Sequence, residues 1–143
     1  MQKIQPFLWF DGKAEEAANF YVSIFKNSKI TEINSMSATF ELEGRPFIAF
    51  NGGPHFQFSP AVSLFVNCET QQEVDELSEK LCAGGEQQPC GWLKDKFGLS
   101  WQIIPRALGE ALQHKDPAKA KKAMQAMMQM KKIDIAALQR AVA

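Results

Sequence analysis

Histidine is scarce in this chain of 143 residues, and so is any cysteine pattern. The two histidines, His55 and His114, lie far apart, and each reads as a surface residue before a metal ligand. The three cysteines, Cys68, Cys82 and Cys90, are an odd number with no CxxC spacing. That excludes a disulfide framework and a usual zinc knuckle, and it fits reduced thiols in a cytoplasmic protein. Net charge is also missing, because sixteen basic residues balance sixteen acidic ones. No field attracts nucleic acid or an anionic membrane. No stretch approaches the roughly 20 apolar residues of a membrane helix. The N-terminal "MQKIQPFLWFDG" has no long apolar run and no cleavage site, so no signal peptide is expected. GxSxG, HExxH and P-loop patterns are absent as well.

What is present suits one compact domain over 1–143. A chain of this length buries roughly 70% of the surface its unfolded form exposes. "IQPFLWF" (4–10) reads as a strand buried on both faces. In 11–27, Ala14, Ala17, Ala18, Tyr21, Ile24 and Phe25 recur at helical spacing. "SKITEINS" (28–35) reads as a weaker strand. "SATFELEGRPFIAFNGG" (37–53) reads as a hairpin turning at Glu43-Gly44. A Gly/Pro-rich connection, "GGPHFQFSPA" (52–61), follows.

The order then repeats. "AVSLFVNCE" (61–69) is a strand, and 70–85 is a helix capped by Thr70 with Glu73 three residues on. "EQQP", "GWLKDKFG" and "LSWQIIP" are short strands and turns, with Lys94 and Asp95 read as turn residues. The pattern is β-α-β-β-β twice: a first module over 1–53 and a second over 61–105. Residues 106–143 form a helical arm, with Asp116-Pro117 and Asp134 as helix starts. Met124, Met127 and Met128 share a face of this arm with Ala120. That stripe fits an adaptable packing face. It also fits a surface that covers a partner subunit or a ligand mouth.

"PFLWFDGKAEEAANFYVSIFKNSKI", "NGGPHFQF", "VNCETQQEVDEL", "GWLKDKFGLSWQIIPR" and "DPAKAKKAMQAMMQMKKIDIAAL" together resemble the PhnB-like branch of the vicinal oxygen chelate superfamily. Members of this branch are often labelled 3-demethylubiquinone methyltransferase-like. The superfamily includes glyoxalase I, extradiol dioxygenases such as those of dihydroxybiphenyl, and bleomycin- or fosfomycin-resistance proteins. The resemblance implies an α+β fold of paired βαβββ modules curling around a cleft, and a homodimer. It departs from the branch between Ile33 and Phe40, where only a short tip, "NSMSAT", stands in place of a longer Gly/Pro-rich one.

Superfamily enzymes hold a divalent metal with His, Gln or Glu from four strands. Carried across, allowing one residue of register, those positions fall at Pro6 or Phe7, at Ala49 near Asn51, among Ala61, Val62 and Ser63, and at Gln102. None is His, Asp or Glu, and a lone amide is a weak ligand for a divalent ion. The resemblance therefore implies no metal here, and no cofactor is indicated. A usual S-adenosylmethionine domain carries a Gly-rich loop after its first strand, whereas "FDGKAEEA" has one glycine and acidic residues. Cys68 and Cys90 read as structural thiols before nucleophiles.

An aromatic-rich cup remains, including Phe7, Trp9, Phe47, Phe50, Trp92, Phe97 and Trp101. Its composition suits a small-molecule site and equally a filled core. In the last strand Gln102 shares a face with Ser100 and Ile104, while Trp101 points the other way. The expectation is a metal-independent, small-molecule-binding homodimer with Phe7, Trp9, Asn51, Trp92 and Gln102 as ligand contacts. The rivals are a glyoxalase-like lyase or isomerase, a methyltransferase-like enzyme using a bound cosubstrate, and an interaction module acting through its Met-rich arm.

Overall fold

Two short helices shield two small sheets, one helix to each, and every sheet keeps one face free of its own helix. The computed structural model describes residues 2–143. The chain divides into two compact units, Met1–Phe58 and Ser59–Ala143.

The first unit runs β1 (Phe7–Phe10), α1 (Ala14–Ile24), β2 (Lys29–Ile33), β3 (Ser37–Leu42) and β4 (Arg45–Asn51). Its sheet has the order β1-β4-β3-β2, with β1 parallel to β4 and the remaining pairs antiparallel. Alternation decides what each strand buries. Leu8, Phe10, Ala38, Phe40, Phe47 and Ala49 are buried, as are Ala14, Ala17, Ala18 and Tyr21 of α1. The small alanines let the helix approach the sheet, and Phe40 stacks on Phe47 with ring centroids 5.3 Å apart. The expectation of a first strand buried on both faces is corrected here. The strand begins only at Phe7, which is 56% exposed, because α1 covers a single side.

Local chemistry closes the connections. Glu43 (φ 52°) and Gly44 (φ 81°) both adopt left-handed backbone, the geometry of a two-residue type I′ hairpin turn. The short β2–β3 tip is held by Asn34, whose Oδ1 accepts the backbone N–H groups of Met36 at 2.8 Å and Ser37 at 2.9 Å. The first unit reaches past Asn51 because Phe56 packs on Trp9 and Phe58 on Phe10, at 4.9 and 5.3 Å between centroids.

The second unit runs β5 (Ser63–Cys68), α2 (Gln71–Cys82), β6 (Glu86–Gln87), a 3-10 turn (Pro89–Gly91), β7 (Trp92–Lys94) and β8 (Ser100–Pro105). The strand order is β5-β8-β7-β6, so the topology repeats that of the first sheet. Thr70 Oγ1 accepts the Glu73 N–H at 3.1 Å, and the Glu73 carboxylate returns to the Glu69 N–H at 2.8 Å. One helix-end donor and the N–H of the residue before the cap are thus satisfied by a near-reciprocal cap. Val74 and Leu81 of α2 are buried, along with Leu93, Trp101 and Ile103 from the sheet.

Asp95 corrects its reading as an ordinary turn residue. It is 2% exposed. Its Oδ1 accepts the N–H groups of Phe97 and Leu99 at 2.9 and 3.0 Å, and its Oδ2 accepts Trp101 Nε1–H at 2.9 Å. One carboxylate therefore closes the β7–β8 turn and anchors the core indole. Such a charge is tolerable inside only because several donors satisfy it.

The arm forms α3 (Arg106–Leu112), α4 (Pro117–Met128) and α5 (Ile135–Ala141). Asp116 and Asp134 cap α4 and α5 by accepting the N–H groups of Ala118 and Ala137. The arm is stitched into the second unit. Gln71 donates to the Ile133 carbonyl and accepts the Ile135 N–H, at 2.9 and 2.8 Å. Cys90 and Gly91 donate their N–H groups to the carbonyls of Met130 and Lys131. Lys132 Nζ lies 2.8 Å from Asp75, and with the Gln71 amide it holds that carboxyl below its ordinary range. Leu108, Ile133 and Leu138 are buried, with Ile104, Met127 and Met130 packed against them.

Asp95→Ala should lower unfolding stability by roughly 2–4 kcal/mol, because three buried donors lose their acceptor. Urea denaturation followed by tryptophan fluorescence measures it. A change within a few tenths of a kcal/mol would remove Asp95 from this anchoring role.

Candidate functional site

The faces turned away from α1 and α2 hold most of the residues with chemistry to offer, and each unit presents its own. In the first unit the alternation that buries Leu8 and Phe10 sends Phe7 and Trp9 to the opposite side. Phe50 joins them from β4, with centroids 5.3 Å from both Phe7 and Trp9. Phe56 adds an edge-on contact to Trp9 from the loop after β4. Trp9 Nε1–H donates to the Gly53 carbonyl at 2.9 Å, so the "NGG" turn is folded onto the indole. A Cβ at Gly52 would overlap that ring, which explains a glycine there. The product is a half-exposed aromatic surface with its one indole donor already used.

Asn51 turns the other way. It shares parity with Phe47 and Ala49, and its Oδ1 accepts the Ala14 N–H at 2.8 Å. It supplies the first turn of α1 with the acceptor that Lys13, the residue at the cap position, does not provide. Of the five expected contacts, Asn51 is thus on the helix side with its oxygen engaged. Phe7 and Trp9 share the face turned away from α1, and Trp92 and Gln102 share the face turned away from α2.

In the second unit the strand register lays side chains in rows. Gln102 is paired with Phe65 on β5 and Trp92 on β7. One step along, Ser100 is paired with Ser63 and Lys94. Gln102 Nε2–H donates to Ser63 Oγ at 3.0 Å. Two positions where the superfamily would place metal ligands are therefore bonded to each other. Ala49, at a third, is buried beneath α1. Among the described residues, no three His, Cys, Asp or Glu side chains gather where they could hold a metal ion. An amide, a hydroxyl and apolar groups do not fit a divalent cation. His114 Nδ1 accepts the Asp116 N–H and so serves a turn, while His55 is exposed in the loop after β4.

The thiols separate by environment. Burial, then the nearby Glu73 and Glu69 carboxylates, push the Cys68 thiol up to about 12. Cys68 stays protonated and unreactive at neutral pH. Cys90 sits with φ 63° in the turn before β7, its Sγ 3.7 Å from the Met127 carbonyl. Ser100, Phe65 and Lys94 are site residues that sequence reasoning did not select, and Ser63 entered only among the superfamily's ligand positions. Register is what exposes them, and the signal available was the alternation of "SLFVN" against "LSWQI".

The repeated βαβββ topology defines a protein of the glyoxalase-like fold class, shared with a glyoxylase/bleomycin resistance protein/dioxygenase domain from Frankia sp.. Within that class, the chain belongs to the family described as 3-demethylubiquinone-9 3-methyltransferase, whose model matches residues 2–104. The PhnB protein from Bacillus cereus is 40% identical, with a TM-score of 0.68, over 73% of this chain and 99% of its own. PA1353 from Pseudomonas aeruginosa shares the fold at 21% identity and a TM-score of 0.59, over 73% of this chain and 98% of its own. The fosfomycin resistance protein FosX from Listeria monocytogenes, solved with manganese(II) and sulfate, does so at 18% identity and a TM-score of 0.55. That likeness spans 71% of this chain and 88% of FosX. No curated protein matches. The family match stops at Ile104, so the helical arm lies beyond it.

Two measurements test this local geometry. Gly52→Ala should displace the Trp9 indole, shifting tryptophan emission and costing about 1–3 kcal/mol of stability. An unshifted spectrum would mean the turn is not folded on Trp9. A thiol reagent at mildly alkaline pH should leave Cys68 unmodified in native protein and label it after denaturation. The raised thiol also gives a pH dependence. The unfolded chain loses this proton near 9.0, the folded one near 12, so stability from this group is full below the first value and falls as pH rises toward the second.

Proposed function

We propose that the protein is a metal-independent binder of a small, planar or amphipathic molecule, acting as a cytoplasmic homodimer. The observation that carries this reading is the face of each sheet turned away from its own βαβββ helix. Phe7, Trp9 and Phe50 offer aromatic surface in the first unit, and Trp92 with Gln102 offers aromatic surface and an amide in the second. Apolar walls with a few neutral polar groups are the usual make-up of a small-molecule site. Phe7 and Phe65, exposed by 56% and 54%, are costly to leave in water and favour coverage by a ligand or a second subunit.

The family description names a methyl transfer. A usual S-adenosylmethionine domain presents a Gly-rich loop at the helix following its first strand, within a doubly wound sheet. Here that helix starts at Ala14 with its N–H occupied by Asn51, and each sheet is a βαβββ unit. The binding reading therefore stands ahead of the transferase. No helix of the described residues is long and apolar enough to cross a membrane.

Thermal unfolding across a broad metabolite set tests the reading. A ligand at about 100 times its dissociation constant should stabilise the fold by roughly 2.7 kcal/mol, read as a raised Tm. A full panel without a shift would sink it. Light scattering should give twice the chain mass, and a monomer at all concentrations would remove the dimer.

A further inference from the structure

The second sheet carries an unassigned polar subsite. On the face turned away from α2, beside the end where Ile104 meets the arm, two rows of side chains cross β5, β8 and β7. The first row is Phe65, Gln102 and Trp92, and the second is Ser63, Ser100 and Lys94. The rows are adjacent, because Ser100 and Gln102 stand two residues apart on one strand. One row is aromatic at both ends and the other is built of hydrogen-bond donors.

The central member of the donor row is the telling one. Ser100 is 1% exposed, and its Oγ has no hydrogen-bond partner. A buried hydroxyl left unpaired costs roughly 1–3 kcal/mol, so serine at this position is a stability loss that alanine would avoid. Its neighbours point the same way. Ser63 Oγ already accepts from Gln102, which leaves its own O–H to donate. Lys94 is exposed, with Glu86 as its cross-strand neighbour on edge strand β6 and no ion pair to it. Two hydroxyl donors and a cation stand in line, and the row's one carboxylate, Glu86, lies beyond Lys94 at the sheet edge.

We infer that this row binds an acceptor oxygen of a planar small molecule whose ring lies along the Phe65–Gln102–Trp92 row. An oxygen entering between Ser63 and Lys94 is the partner that Ser100 lacks. Gln102, its Nε2–H turned to Ser63, orients the hydroxyl and lies beneath the ring. The ammonium of Lys94 makes a carboxylate the preferred form over a neutral carbonyl. This rests on the small-molecule reading above and narrows its ligand class.

Benzoate, acetophenone and ethylbenzene separate the terms, because they share a ring and differ in the oxygen. Saturable NMR shifts at Trp92 Nε1–H and Gln102 Nε2–H are the readout. Benzoate should bind tightest, acetophenone next, and ethylbenzene at least about tenfold more weakly than acetophenone. Ser100→Ala should weaken both oxygen-bearing probes about tenfold while leaving the unfolding midpoint unchanged or higher. Lys94→Ala, an exposed change, should weaken benzoate alone. Equal binding of ethylbenzene, or unaltered benzoate binding by the Ser100 and Lys94 variants, would overturn the subsite while leaving small-molecule binding in place. No binding by any probe, set beside a hit in the metabolite screen, would overturn the subsite alone.

Discussion

The structure depends on one constraint: a strand alternates its side chains, and each module brings a single helix to one face of its sheet. Every residue is thereby committed to one of two fates by parity. In β1 this sends Leu8 and Phe10 under α1 and leaves Phe7 and Trp9 outside. In β8 it sends Trp101 and Ile103 beneath α2 and leaves Ser100 and Gln102 on the other side. A slip of one residue in either strand would exchange core for site. The devices that hold register are therefore as consequential as the site residues. Asn51 on the start of α1, the I′ turn at Glu43-Gly44 and Asp95 at the β7–β8 turn all serve that end.

The arm shows how an added segment becomes structural. Its match to the family ends before it begins, yet Gln71, Asp75, Cys90 and Gly91 all bond to its backbone or side chains. Gly91 is committed to that contact, since a Cβ there would lie 2.8 Å from Ile104 and 2.9 Å from Ile133. Ala123 packs inward while Met124 and Met128 face solvent, so the methionine stripe is split between the arm's core and its surface. The reading as a packing face describes its inward part, where Met127 joins the cluster of Leu108, Ile133 and Leu138.

Most of the fold was legible in the chain. Helical spacing marked α1 and α2, Thr70 and Asp116 marked helix starts, and the repeat of elements marked the paired modules. Site residues were less legible. Trp9 and Asn51 both lie at strand positions beside the "NGG" turn, and nothing in composition says that one faces outward while the other caps a helix. Asp95 looked like any turn aspartate, because a buried hub and an exposed turn share the same local pattern. Ser100 was hidden for a different reason. A serine in a strand carries no signal until its neighbours across the sheet are known.

The sequence by itself determined the order of elements, the helix caps and the hairpin turn. These follow from local propensity and residue identity, which need no partner across the chain. Only the tertiary structure decided that Gln102 meets Ser63, that Asp95 meets Trp101, and that Ser100 is buried without a partner. Each depends on strand register and packing. Those are settled by contacts between segments distant in sequence, which local pattern does not encode.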